Sequence, residues 1–134
     1  ALKVASLSGK DVRIILPSYS DSKITYWASR SYVGELLEAG VKIYFYKEGF
    51  NHSKLIIIDG EFCSVGSANL DIRSFEDNFE VTALMYDPSI AEELTRYFME
   101  DLERSEEITT EAWDARSNLH GLYESISRLF SPLL

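Results

Sequence analysis

The sequence is poor in basic residues, cysteine and long apolar runs, and each shortage excludes a class of protein. Thirteen lysines and arginines stand against 22 acidic residues, which gives a formal net charge of −9. Nucleic-acid binding depends on many cationic contacts to phosphates, so no nucleic-acid partner is predicted. The single cysteine, Cys63, excludes an internal disulfide and is interpreted as a buried, inert thiol. No apolar run approaches the roughly 20 residues of a membrane-spanning helix, so this piece is expected to be soluble.

What the sequence does contain is a pattern of alternating helical and strand-like segments. Its 134 residues, 46% of them hydrophobic, suffice for one domain with a core. We therefore predict a single α/β domain over residues 1–134, with α-β-α layers and a mixed, largely parallel sheet flanked by helices. The helices of residues 88–134 are expected to pack on that sheet. The predicted helices cover 1–8, 24–39, a segment starting at 88, and 113–130; the predicted strands cover 12–16, 41–46, 55–58, 61–65 and 79–86.

One predicted hairpin carries the residues with chemical potential. His52 and Lys54 stand two residues apart, which places both side chains on one face of an extended strand. The β-branched run 55–58 is typical of a strand buried on both faces. Asp59-Gly60 is a strong turn signal, and the returning strand ends in Gly66-Ser67-Ala68-Asn69. The polar residues at both ends of this hairpin are therefore expected to meet at one strand edge.

These residue types suit attack on a phosphodiester. Such an ester is anionic, so an enzyme needs a nucleophile, donors for the nonbridging oxygens, and an acid for the leaving group. His52 can supply the nucleophile, and Lys54, Ser67 and Asn69 can supply the phosphate-binding donors. A lysine ammonium is a poor neighbour for zinc, and the remaining histidine and cysteine are scattered. No metal is therefore expected.

The motif pair resembles a known family. Four residues separate Lys54 of the His52-x-Lys54 pair from Asp59, and Gly66-Ser67-x-Asn69 follows. This pattern looks like the H-x-K-x(4)-D signature of the phospholipase D superfamily. Further segments look like bacterial cardiolipin synthases; these are residues 26–32, 71–80 and 128–134. The resemblance implies a phosphatidyltransferase that makes cardiolipin and glycerol from two phosphatidylglycerols through a phosphohistidine. It also implies that no metal or organic cofactor is needed. The implied substrate is an anionic phospholipid, and the implied parent protein lies on the cytoplasmic side of the bacterial cell membrane.

The same resemblance assigns roles to two carboxylates. Its catalytic set is carried onto His52, Lys54, Asp59, Asn69 and Glu80. In the family the aspartate stays away from the phosphate, and Asp59 sits at the predicted turn, so we interpret it as structural. An acidic residue in the position of Glu80 is used to hold the imidazole, with a surface carboxylate as the alternative.

A second motif is missing from the sequence. Enzymes of this superfamily place two H-x-K motifs face to face, one histidine attacking and the other protonating the leaving group. The other histidine here, His120, is followed by Gly121 and Leu122, with no lysine. The chain is thus interpreted as the C-terminal half of a two-motif enzyme, inactive alone. Its second half would be an upstream domain of the parent chain or a homodimer mate.

Two other functions stay open at the level of sequence. One is a phospholipase D or nuclease-type hydrolase of the same superfamily, with water as the acceptor. The other is a non-catalytic module that binds phosphate or lipid. The net negative charge of the chain argues against a nuclease, whose substrate is itself a polyanion.

Overall fold

The computed structural model describes residues 1–133 and shows helices and strands in alternation. Leu134, the last residue of the C-terminal segment compared above, lies outside the described residues. The helices are α1 (Leu2–Leu7), α2 (Lys23–Arg30), α3 (Val33–Glu38), α4 (Ile72–Glu76), α5 (Pro88–Glu103), α6 (Thr110–Asp114) and α7 (Asn118–Arg128), with a 3-10 turn at Ser131–Leu133. The strands are β1 (Arg13–Pro17), β2 (Lys42–Tyr46), β3 (Leu55–Ile58), β4 (Phe62–Gly66), β5 (Thr82–Met85) and β6 (Ser105–Ile108).

The strands form two three-stranded sheets, one mixed and one antiparallel, and helices flank them. The first sheet has the order β1-β2-β6, in which β1 and β2 are parallel and β2 and β6 antiparallel. The second has the order β3-β4-β5 and is antiparallel throughout. The predicted α/β class and mixed pairing are confirmed. The expected predominance of parallel pairing is wrong within residues 1–133, because a two-residue turn forces β3 and β4 to run antiparallel.

The core of the first sheet forms around β2, whose side chains alternate between buried and less buried positions. Ile43 and Phe45 of β2 pack with Val33 of α3, Val41 and Trp113 of α6. Two predicted helices are each divided in the structure. The predicted helix 24–39 breaks between α2 and α3, and the predicted helix 113–130 becomes α6 and α7.

The start of α5 follows the prediction made for an aspartate-proline pair. Asp87 is the N-cap, and its carboxylate accepts from the N–H groups of Ser89 and Ile90, while Pro88 occupies the first turn. The hydroxyl of Ser89 also donates to this carboxylate at 2.6 Å, and that bond, followed by the two N–H bonds, holds the pKa of Asp87 below its usual range. The helix then packs against β3 and β4.

The second sheet is covered on one face only. Ile56 and Ile58 of β3 are 52% and 50% exposed, and Leu84 of β5 is 60% exposed. Ile56 and Leu84 both lie in register with Ser64 of β4, so they share one face. The expectation that β3 is buried on both faces is therefore wrong for the described residues, because α5 covers the opposite face alone. Separately, no helix within residues 1–133 combines the length and apolarity needed to cross a bilayer.

The turn between β3 and β4 requires left-handed backbone at two consecutive residues. Asp59 has φ 53° and Gly60 has φ 69°, and the N–H of Glu61 donates to the carbonyl oxygen of Ile58 at 3.1 Å. Aspartate, asparagine and glycine tolerate this region better than other residues. Asp59 thus has a conformational reason to occupy the turn, independent of any chemistry.

Replacing Asp59 with alanine is therefore expected to lower the free energy of unfolding by about 1 kcal/mol, since a left-handed alanine is strained. Asp59→Asn is expected to be close to neutral. Urea unfolding of both variants measures the difference, with Glu61→Ala as a control next to the turn. Equal losses for Asp59→Ala and Asp59→Asn would show that the carboxylate, not the backbone conformation, stabilises the hairpin.

Candidate functional site

The predicted polar residues lie where three strands of the second sheet begin or end. His52 and Lys54 lie immediately before β3 and outside it, so the extended strand expected at these two residues begins only at Leu55. Ser67 and Asn69 follow β4, and Glu80 comes shortly before β5. Because β3 and β5 both run antiparallel to β4, their starts lie at the end of β4. The topology thus brings the three segments to one sheet edge.

Gly66 permits the close contact between these segments. Its N–H donates to the carbonyl oxygen of Lys54 at 3.1 Å, and the N–H of Ser67 donates to the carbonyl oxygen of Val81 at 3.0 Å. A Cβ on Gly66 would lie 2.5 Å from that oxygen of Val81 and 2.8 Å from the Cα of Thr82. A larger residue would push β5 away, so the glycine keeps Ser67 beside the start of β5.

Lys54 places a cation next to His52. Its Nζ donates to the carbonyl oxygen of His52 at 3.0 Å. Burial lowers the pKa of Lys54, and the nearby carboxylates of Glu80 and Asp71 oppose that effect. The Lys54 residue is half-buried, and its ammonium is directed back towards the backbone of His52, where it can also meet an anionic group.

Glu80 and Ser67 form a tight pair. The hydroxyl of Ser67 donates to the carboxylate of Glu80 and accepts from the N–H of Val81 at 3.0 Å. The side-chain amide of Asn78 donates to the other oxygen of Glu80 at 3.2 Å. The Ser67 bond, followed by that from Asn78, lowers the pKa of Glu80. Within residues 1–133 no hydrogen bond or ion pair joins Glu80 to His52, and the carboxylate of Glu80 is bonded to Ser67 and Asn78 instead.

An aromatic stack positions His52 and was not singled out from the sequence. The imidazole stacks on Phe50 with ring centroids 5.4 Å apart, and the ring centroids of Phe50 and Tyr19 are 5.7 Å apart. The N–H of Ser53 donates to the side-chain oxygen of Asn51 at 3.0 Å, which turns the backbone beneath the ring. The only local signal for this arrangement is the aromatic residue two positions before the histidine.

Asn69 is held by its backbone, so its exposed side chain remains available. Its N–H donates to the hydroxyl of Ser74 at 3.0 Å, and the N–H of Ser74 donates to the carboxylate of Asp71 at 2.8 Å. Asp71 is thereby the N-cap of α4. The carboxylate of Asp71 thus caps the helix, and its negative charge also opposes the lowering of the pKa of Lys54 by burial.

Asp59 is the one residue of the predicted set that lies away from this edge. Asp59 lies five residue steps along the chain from Lys54, which is about 16 Å at the rise of a β-strand. The geometry therefore supports a structural role for Asp59, as expected from the sequence. His52, Lys54, Ser67, Asn69 and Glu80 form the local site.

Sequence comparison identifies similar proteins over the whole chain. The profile of the family described as "Cardiolipin synthase, PLD-like domain" matches residues 1–102. A cardiolipin synthase of Geobacillus sp. is 53% identical over all 134 residues, and the major cardiolipin synthase ClsA of Bacillus subtilis is 48% identical over the same length. The chain spans 27% of the first relative and 28% of the second.

Structural comparison supports the same fold. Nuc, a phospholipase D family member from Salmonella typhimurium, matches with a TM-score of 0.70 and 19% identity, covering 80% of this chain and 70% of Nuc. The mixed sheet and the antiparallel sheet, with their flanking helices, thus have the fold of a phospholipase D-like domain. Together with the family match over most of its residues, this shows that the chain belongs to the phospholipase D-like domain family of the cardiolipin synthases.

Proposed function

We propose that this chain is the phosphatidyltransferase half-domain of a cardiolipin synthase, which makes cardiolipin and glycerol from two phosphatidylglycerols. The observation that carries the proposal is the meeting of His52, Lys54 and Asn69 at one edge of a phospholipase D-like sheet. Relatives named cardiolipin synthases cover the entire chain at about half identity, which supports the same reaction class.

The reaction proceeds by two transfers at phosphorus. One histidine attacks the phosphorus of the first phosphatidylglycerol and forms a phosphatidyl-histidine, while a second histidine protonates the departing glycerol oxygen. That second histidine then takes the proton from a hydroxyl of the second phosphatidylglycerol, which attacks phosphorus and frees the first histidine. His52 fills one of these roles. Lys54 and Asn69 donate to the nonbridging oxygens and stabilise the charge that develops there.

The second histidine belongs to a second H-x-K half. We propose that this half is either an upstream domain of the parent chain or a homodimer mate. Support comes from the exposure of His52, Ser67 and Asn69, which leaves the site open on one side. We further propose that the parent protein carries the site to the cytoplasmic surface of the bacterial cell membrane, where its anionic phospholipid substrate lies.

The two-half proposal is tested by comparing the chain alone with the chain in a complete enzyme. The purified monomer is expected to show no transfer from phosphatidylglycerol, because it has a nucleophile or an acid but not both. A chimera in which the chain replaces the matching segment of the Bacillus subtilis relative is expected to make cardiolipin and glycerol. Turnover by the monomer at the rate of the chimera would contradict the proposal, and phosphatidic acid as the product would indicate water as the acceptor.

Glu80 and Ser67 allow a sharper test of their roles within the same chimera. If Glu80 acts through Ser67, then Glu80→Gln and Ser67→Ala should lower kcat by similar factors, and the double variant should be no worse than either. If Glu80 holds the imidazole of His52, only Glu80→Gln should displace the pH profile of kcat. We expect the first result, because the structure joins Glu80 to Ser67. A displaced profile in Glu80→Gln alone would contradict it.

A further inference from the structure

A second polar cleft, distinct from the edge that carries His52, lies where β1 and β2 end. It has a volume of about 460 Å³, and its lining includes Arg30, Lys47, Arg116 and His120 together with Glu106. The lining thus contains three cationic side chains and one histidine but only one carboxylate, although the net charge of the chain is −9. Such a local reversal of charge indicates an environment suited to an anion.

The carboxylates near the cleft neutralise two of its cations but not the third. Lys47 pairs with Glu106 at the exposed rim. Arg116 makes two hydrogen bonds to Glu124, at 2.7 and 3.3 Å, and Glu124 is buried. Among residues 1–133, Arg30 forms no ion pair. Glu124, whose hydrogen bonds go to Arg116, acts on Arg30 only through its charge at a distance, so the least compensated positive charge of the cleft lies on Arg30.

The guanidinium of Arg30 is held in a fixed position. It lies 4.2 Å from the ring centroid of Tyr26 and 4.1 Å from that of Phe45, and one Nη donates to the carbonyl oxygen of Ser18 at 3.3 Å. Its Nε is buried and has no hydrogen-bond partner within the described residues. An orphaned donor on a half-buried charge is costly, and binding an anion is one way to offset that cost.

We propose that this cleft is a binding site for a phosphate-type oxyanion, with Arg30 as its principal partner and Lys47 and His120 as further donors. A planar guanidinium suits such an oxyanion because it can donate two parallel hydrogen bonds. The chemistry is shared by free phosphate and by the phosphodiester of a lipid headgroup. The aromatic rings of Tyr26 and Trp113 give the cleft apolar walls beside the charge. The proposal concerns binding and does not depend on the transferase activity.

The test is a titration of the chain, followed by NMR at the Arg30 Nε–H and the Trp113 indole N–H. Inorganic phosphate is one probe, and glycerophosphoglycerol, the phosphatidylglycerol headgroup without acyl chains, is the other. Both signals are expected to shift and saturate, and Lys54→Ala is expected to leave these shifts in place because it alters only the other site. Tighter binding of glycerophosphoglycerol assigns the site to a lipid headgroup, and tighter binding of inorganic phosphate assigns it to the free ion.

Lys47→Gln and Lys42→Gln form a matched pair of variants. Both lysines lie at the ends of β2, are about half exposed, and pair with an exposed carboxylate, but Lys42 is outside the cleft. Lys47→Gln is expected to weaken binding by about tenfold, as for loss of one charged donor, and Lys42→Gln to leave it unchanged. Arg30→Gln removes the Nε–H signal itself, so in this variant the Trp113 indole N–H is followed alone and its shift should be lost. If Arg30→Gln fails to fold, Lys47→Gln is the deciding variant. Signals that do not move or do not saturate, or equal weakening in both lysine variants, would overturn the proposal.

Discussion

Replacing Lys54 with alanine is expected to lower kcat for cardiolipin formation by about 10²- to 10³-fold in the chimera described above. Its ammonium lies beside the backbone of His52, where it can meet the nonbridging oxygens as charge develops on them. A preorganised charged donor contributes most in the transition state, so kcat should fall more than KM rises. Initial rates of glycerol release over a range of phosphatidylglycerol concentrations separate the two constants.

The fold should survive this substitution, since within residues 1–133 the Lys54 side chain makes no ion pair and only one hydrogen bond, to the carbonyl oxygen of His52. Circular dichroism and urea unfolding provide that check. Ser53→Ala is a useful neighbouring control, because the Ser53 contact to Asn51 uses only its backbone N–H. A Lys54→Ala enzyme with wild-type kcat would remove Lys54 from the phosphate pocket.

His52→Gln is expected to have a still larger effect, lowering kcat by at least about 10³-fold, as for loss of a nucleophile or its proton partner. Glutamine retains a planar amide that can lie against Phe50, so the substitution tests the chemistry of the imidazole more than its packing. Transfer rates measured with excess phosphatidylglycerol show whether the bound complex has lost its reactivity. Retention of more than a tenth of the activity would show that His52 neither attacks phosphorus nor transfers the proton.

The hairpin was predictable because its signals are local. The run of β-branched residues and the Asp59-Gly60 turn lie within one short stretch, and the structure has the predicted hairpin there, although β3 begins at Leu55, after His52 and Lys54. The cap of α5 at Asp87 is likewise set by adjacent residues. Such features depend on backbone preferences that act over a few positions.

Features that depend on tertiary contacts were not predictable in the same way. Strand β6 has the acidic sequence Ser-Glu-Glu-Ile, which reads as a solvated helix end, yet it pairs with β2 in register from Ile43 to Tyr46. Its strand conformation comes from the partner, not from its own propensity. The exposure of Ile56 also depends on which face α5 covers, and that is not encoded in the apolar run itself.

The site shows the same division. The spacing of His52 and Lys54 and the Gly66-Ser67-Ala68-Asn69 step identify the residues, whereas the partner of Glu80 depends on how β5 approaches β4. That approach places Glu80 on Ser67. The setting of Arg30 between Tyr26 and Phe45 joins residues from α2 and β2, and no local spacing reveals it.

The most direct test of the central claim is to look for the covalent intermediate itself. The chimera would be mixed with phosphatidylglycerol labelled at phosphorus, quenched within one turnover and mapped by peptide analysis. We expect an acid-labile, alkali-stable label on His52 or on its counterpart in the second H-x-K motif, and loss of that label when the labelled histidine is replaced by glutamine. Cardiolipin formation with no label on either histidine would contradict the account.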